Sequence, residues 1–86
     1  MITRQSIADQ LLNYLNHRIV LAALVDWAER SIMEGDVEEV YTKTIMQSLG
    51  RIAAADVKNF GLLWEDCESI MKSLGFTIRV DVDIAA

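Results

Sequence analysis

The sequence predicts an all-α domain, a bundle of four main helices that is followed by one C-terminal β-strand. Apolar residues recur at helical spacing through most of the chain. The closing stretch FTIRVDVDIAA instead alternates apolar and polar residues, which is typical of a strand. The chain has 86 residues and no proline, a length that suits one small domain and a composition that suits long helices. We therefore expect a single domain over residues 1–86.

Composition excludes several classes of protein. Cys67 is the single cysteine, so no disulfide can form within the chain. The longest run without a polar residue, IVLAALV, is far shorter than the roughly 20 residues that a membrane span needs. The N-terminus shows no signal-peptide pattern, and the net charge is −5 with lysines and arginines scattered singly. We expect a cytoplasmic protein that binds neither membrane nor nucleic acid.

Two helices are predicted in the first half of the chain. The first covers residues 4–16, with Thr3 as its N-cap and Asn16 ending it in a left-handed conformation. The second covers residues 21–34, and Gly35 follows it as a natural C-terminal cap. The connection between them is short, so we expect an antiparallel hairpin.

A third helix is predicted over residues 37–54. Asp36 is its expected N-cap, and Glu39 stands at the third helical position in a capping-box arrangement. The apolar face of this helix, to which Val40 belongs, keeps its register across Gly50, which favours one unbroken helix. The alternative ends the helix at Gly50 as a C-terminal cap, and the sequence leaves both open.

The fourth helix is predicted over residues 63–74, and a strand over residues 77–84. Leu63 and Cys67 belong to the apolar face of this helix, while Gly75 and Phe76 suggest a Schellman ending. The strand has one apolar and one polar face. Its expected pairing residues are Ile78, Arg79, Val80, Asp81, Val82, Asp83 and Ile84.

No residue pattern indicates catalysis, a cofactor or a metal. His17 is the only histidine and lacks a neighbouring group that would orient it as a base. Cys67 is flanked by acidic residues, which disfavour a reactive thiolate, so we expect it in the core. The carboxylate-rich stretches EGDVEE and DVD lack the ligand spacing of a calcium loop. We therefore expect a protein that is not an enzyme.

The acidic residues are concentrated in one segment, which we call the acidic corner. Residues 26–39 have a net charge of −5, equal to that of the whole chain. Such a patch can steer a basic partner, or it can be a solvated corner whose charges cap helices. Trp27 and Trp64 lie at the edges of apolar stripes and are candidates for either core packing or interface anchors. The carboxylates of the acidic corner are Asp26, Glu29, Glu34, Asp36, Glu38 and Glu39.

One stretch carries a family resemblance. The segment IADQLLNYLNHRIVLAALVDWAERSIMEG resembles the opening helical hairpin of small bacterial immunity proteins of the colicin D type. The shared features are an amphipathic first helix, a short apolar turn and a second helix with an aromatic residue. The resemblance implies an acidic helical protein that masks the basic active site of a nuclease toxin.

Two functions remain open from the sequence, and both are protein–protein interactions. In the first, the strand pairs with the same strand of a second molecule and forms a homodimer. A different protein could instead add a strand to the same edge. In the second, the acidic corner docks on a basic partner, as an immunity protein or antitoxin would.

Overall fold

Four α-helices and one 3-10 turn make up most of the chain that the structure describes. The computed structural model describes residues 1–55 and 62–77. Its elements are α1 (Arg4–Leu15), α2 (Leu21–Glu34), a 3-10 turn (Glu39–Tyr41), α3 (Thr42–Ala54) and α4 (Trp64–Ser73). The prediction of a mainly helical protein is thereby confirmed. Of the predicted strand, residues 78–84 lie outside the described residues.

One hydrophobic core joins all four helices. Helices α2 and α3 pack most extensively on each other, and α1 contacts α2, α3 and α4. Each fully buried leucine or isoleucine stabilises the fold by roughly 1.5–3 kcal/mol relative to an exposed position. The largest fully buried side chains are Ile7, Leu11, Leu24, Ile45, Leu49, Ile52, Leu74 and Cys67.

The start of α1 agrees with the sequence. The hydroxyl of Thr3 accepts a hydrogen bond from the backbone N–H of Ser6 at 3.1 Å. In return, the backbone N–H of Thr3 donates to the hydroxyl of Ser6 at 3.1 Å. Because two N–H groups that lack helical partners are satisfied in this way, Thr3 caps α1 as predicted.

The end of α1 differs from the prediction by one residue. Asn16 has φ −90°, and the left-handed residue is His17, with φ 60°. The N–H of His17 donates to the carbonyl of Tyr14, and the N–H of Arg18 donates to that of Asn13. This pair of bonds is a Schellman motif, in which the left-handed residue follows the cap. Helix α1 ends one residue earlier than expected, and the left-handed position passes from Asn16 to His17.

The start of the third helix is the largest departure from the sequence. Residues 36–38 are not helical, and Val37 forms a parallel β-bridge with Ile2. The N–H of Ile2 donates to the carbonyl of Asp36, and the N–H of Glu38 donates to the carbonyl of Ile2, both at 2.8 Å. These bonds compete with helix formation, so the predicted capping box of Asp36 and Glu39 is wrong. Helix α3 begins at Thr42 and continues unbroken across Gly50.

An aspartate side chain caps the start of helix α4, and the helix ends as predicted. Asp66 accepts a hydrogen bond from the N–H of Leu63 at 3.0 Å, so the helix begins at Trp64. Leu63 is extended and exposed, not part of the buried face as predicted. At the other end, Gly75 has φ 90° and the N–H of Phe76 donates to the carbonyl of Met71 at 2.9 Å. These features confirm the Schellman ending.

The left-handed His17 generates a prediction about stability. Glycine adopts positive φ without the steric cost that a Cβ atom imposes, so His17→Gly should stabilise the fold by about 0.5–1 kcal/mol. Urea denaturation followed by circular dichroism measures this as a higher midpoint. The control is Asn16→Gly, because Asn16 has negative φ and gains nothing from glycine. An unchanged or lower midpoint for His17→Gly would contradict the left-handed assignment.

Candidate functional site

The acidic corner lies where α2 ends and the chain turns toward α3. Gly35 ends α2 with φ 67°, a conformation that glycine adopts without strain. The bridge between Ile2 and Val37 then holds the turn against the N-terminus of the chain. The carboxylates therefore project from the middle and end of α2, from the turn that follows it and from the 3-10 turn.

Two of the six carboxylates form exposed ion pairs. Asp26 lies 3.1 Å from the guanidinium of Arg30, one helical turn further along α2. Asp36 lies 3.4 Å from the amino group of Met1. All four groups are more than half exposed, and such surface pairs contribute at most about 1 kcal/mol. These pairs reduce the local negative charge without fixing the carboxylates rigidly.

Glu38 has a structural role that the sequence does not reveal. Its Oε1 accepts a hydrogen bond from the backbone N–H of Arg4 at 3.4 Å and lies 3.8 Å from Nε of the same arginine. Arg4 is the first residue of α1, so the carboxylate also lies at the positive end of that helix dipole. About two thirds of the Glu38 side chain is covered. Glu38 therefore has partners within the chain and is more covered than the exposed acids beside it, Asp36 and Glu39.

The side chain of Arg4 joins three segments, and we call these contacts the Arg4 cluster: Arg4, Glu38, Tyr41 and the carbonyl of Leu74. The guanidinium carbon lies 3.7 Å from the centre of the Tyr41 ring, which is a cation–π contact. Nη1 donates to the carbonyl of Leu74, the cap of α4, at 3.2 Å. Nε is buried and makes no hydrogen bond to any described residue. These partners lie 34 to 70 residues from Arg4, so no local pattern could have predicted them.

The remaining three carboxylates are Glu29, Glu34 and Glu39, and we call them the unpaired carboxylates. All three are exposed. Within residues 1–55 and 62–77, no lysine, arginine or histidine nitrogen lies within 4 Å of them. The predicted group of six thus divides into three acids with partners inside the chain and three exposed acids that form no ion pair with the described residues.

Two large apolar side chains accompany the unpaired carboxylates. Met33 is 86% exposed and Val40 is 83% exposed. Met33 lies one helical turn after Glu29, and Val40 follows Glu39 directly, so apolar and acidic groups are neighbours. Met33 lies outside the buried face of α2, which includes Leu24, Val25 and Ala28. Val40 was expected on the buried face of a helix, and it is exposed because residues 39–41 form a 3-10 turn instead.

The two tryptophans have different environments. Trp27 is partly buried and packs against the hydrophobic core. Trp64, the first residue of α4, is 38% exposed and stands beside the exposed Leu63. Trp27 thus has the environment of a core residue, and Trp64 keeps part of its indole available for contact.

The residues with reactive side chains show no catalytic arrangement among the described ranges. His17 is exposed at the end of α1, and Cys67 is fully buried in α4. Burial, followed by the charge of Asp66, raises the pKa of the Cys67 thiol to about 11. The pKa of Asp66 itself is lowered, first by the N–H of Leu63 and then by Arg51 at 2.7 Å. No group of three potential metal ligands occurs in these ranges.

The described surface has a small groove. The groove, of about 200 Å³, lies between α3 and α4 and is lined by Ser48, Arg51, Ser69 and Ser73 among others. Pockets for small molecules usually measure roughly 300–1,000 Å³, so this groove suits no large ligand. No helix of the described chain has both the length and the apolar character that crossing a bilayer requires.

The chain was compared with models of protein families, with curated proteins and with solved structures. None of these three comparisons finds a match. The acidic corner is therefore interpreted from its own geometry and chemistry.

The burial of Cys67 generates a prediction about reactivity. With a pKa of about 11, the thiol is protonated near neutral pH, and a fully buried sulfur is closed to reagents. A chromogenic disulfide reagent at pH 8 should react slowly with the native protein and rapidly in denaturant. Native labelling as fast as that of the denatured chain would show that Cys67 is accessible.

Proposed function

We propose that this chain is a non-enzymatic protein–protein interaction module whose acidic corner docks on a basic surface of another protein. The observation that carries the proposal is the coincidence of the three unpaired carboxylates with two exposed apolar residues, Met33 and Val40. Apolar contacts surrounded by charged residues are typical of protein interfaces.

The two kinds of residue would contribute differently to binding. Unpaired carboxylates attract a basic surface over a distance and so raise the association rate. Met33 and Val40 would contribute affinity because binding buries their apolar surface. The flexible thioether side chain of Met33 can also adapt to an irregular partner surface. Glu38 is not counted among these attracting groups, because in the free chain it already contacts Arg4.

The resemblance to immunity proteins of the colicin D type supports the same class of partner. An immunity protein presents acidic groups to the basic active site of a nuclease toxin. A mainly helical chain with three exposed, unpaired carboxylates has the chemistry that such a partner needs. A bacterial origin and a cytoplasmic location belong to this proposal.

The test compares two triple variants that change the net charge equally. Glu29→Gln, Glu34→Gln and Glu39→Gln together should abolish capture of the partner from a lysate of the cells that express the protein. The matched control, Asp9→Asn with Glu65→Gln and Glu68→Gln, neutralises three exposed acids outside the corner and should capture the partner as the wild type does. Binding should also weaken steeply with salt, since the Debye length falls from about 10 Å at 0.1 M to about 3 Å at 1 M.

Two results would contradict the proposal. One is equal loss of the partner in both triple variants, because net charge and not the corner would then be responsible. The other is capture that is as strong in 1 M salt as in 0.1 M salt.

We infer self-association through residues 77–84 as a second candidate function. The alternating pattern of this segment is that of a strand, and a strand needs a partner for its backbone N–H and C=O groups. Within residues 1–55 and 62–77, β-pairing is limited to the bridge of Ile2 with Val37, which is too short to pair with eight residues. Antiparallel pairing of two molecules would bring Arg79 near Asp81 or Asp83 of the second copy.

Sedimentation velocity distinguishes this second candidate. The full chain should sediment as a dimer at high micromolar concentration, and a chain that ends at Phe76 should sediment as a monomer. A monomeric full chain would exclude the homodimer and favour strand addition to a different protein. Dimerisation of the shortened chain would place the interface on the helices.

A further inference from the structure

The Arg4 cluster connects the acidic corner with the end of α4. Arg4 is in contact with Glu38 and Tyr41 on one side, and its Nη1 binds the carbonyl of Leu74 on the other. The last carbonyls of a helix have no helical partner, so this bond satisfies one of them. One side chain therefore contacts both the acidic corner and the point where α4 ends.

The fit at the end of α4 is close. A Cβ atom placed on Gly75 would lie 3.4 Å from Nη1 of Arg4, and the φ of 90° at Gly75 also favours glycine. The turn is closed by two bonds, from Gly75 to the carbonyl of Lys72 at 3.0 Å and from Phe76 to the carbonyl of Met71 at 2.9 Å. The position of the guanidinium is thus linked to the geometry of the helix ending.

The contact with Glu38 is the weaker side of the cluster. The distance of 3.8 Å between Nε and Oε1 is longer than a hydrogen bond, and Nε is buried without a hydrogen-bond partner among the described residues. A buried donor with an unmet hydrogen bond is costly, so the cluster depends on the nearby negative charge to hold the guanidinium. Removal or capture of that charge takes away the attraction that positions Arg4.

We propose that Arg4 is a conformational coupling residue, through which the state of Glu38 in the acidic corner controls the stability of the α4 ending. The part of this proposal that involves a binding partner rests on the proposed function. A basic partner at the corner competes with Arg4 for Glu38, and the loosened guanidinium then releases the carbonyl of Leu74. By linkage, a contact that stabilises the α4 ending holds Arg4 in place and disfavours that competition.

The test measures amide hydrogen exchange in the full chain and needs no partner. In Glu38→Gln, the amides of Gly75 and Phe76 should exchange about three- to tenfold faster than in the wild type. In the control Glu39→Gln, which neutralises the adjacent exposed acid, their exchange should be unchanged. Arg4→Met should accelerate the same amides at least as much as Glu38→Gln does. The amide of Leu49, in the middle of α3, reports global stability and should stay unchanged in Glu38→Gln.

Each contrary outcome overturns the coupling. Unchanged exchange at Gly75 and Phe76 in Glu38→Gln would show that Glu38 does not act on the α4 ending, even if Arg4→Met still accelerates it. Equal acceleration of Leu49 would show a general loss of stability in place of a directed effect. A negative result in this experiment does not contradict the docking proposal, because the unpaired carboxylates do not include Glu38.

Discussion

The placement of one arginine constrains how the ends of the helices meet. Arg4 opens α1, lies over the ring of Tyr41 just before α3, and donates to the cap of α4. A guanidinium is suited to this because it stacks on an aromatic face and donates in several directions at once. The apolar core supplies most of the stabilisation, but it does not by itself fix where the non-helical segments lie. The Arg4 cluster and the bridge of Ile2 with Val37 hold the N-terminal residues, residues 36–41 and the end of α4 together.

This constraint also divides the charges of the acidic corner into two groups. Glu38 serves the fold, because the start of α1 and the guanidinium of Arg4 hold it. Glu29, Glu34 and Glu39 form no ion pair with the described residues. Like charges without a nearby cation do not stabilise a folded chain. A partner can bind these three charges without displacing a contact that the described fold uses. Met33, one helical turn after Glu29, and Val40, next to Glu39, add exposed apolar surface that a solvated, purely structural corner would not require.

The sequence predicts those features that depend on local chemistry. Apolar spacing predicts the buried faces of the helices, and the glycine at position 75 predicts the Schellman ending of α4. It fails where distant residues decide the backbone. The pattern of residues 36–39 predicts a helix start, but pairing with Ile2 keeps Val37 and Glu38 out of the helix. The predicted burial of Val40 is wrong for the same reason, because residues 39–41 form a 3-10 turn. The residues next to Arg4 in the sequence do not indicate its role, because its partners come close to it only in the folded chain.

The most direct test of this account is a double-mutant cycle between Arg4→Met and Tyr41→Leu, with stability measured by urea denaturation. If the guanidinium lies on the ring as the geometry indicates, the two changes should be coupled by about 1 kcal/mol, as expected for a partly buried cation–π contact. Additive effects, with a coupling energy below about 0.3 kcal/mol, would show that Arg4 does not rest on Tyr41. The Arg4 cluster would then lose its role as the constraint that holds the helix ends together.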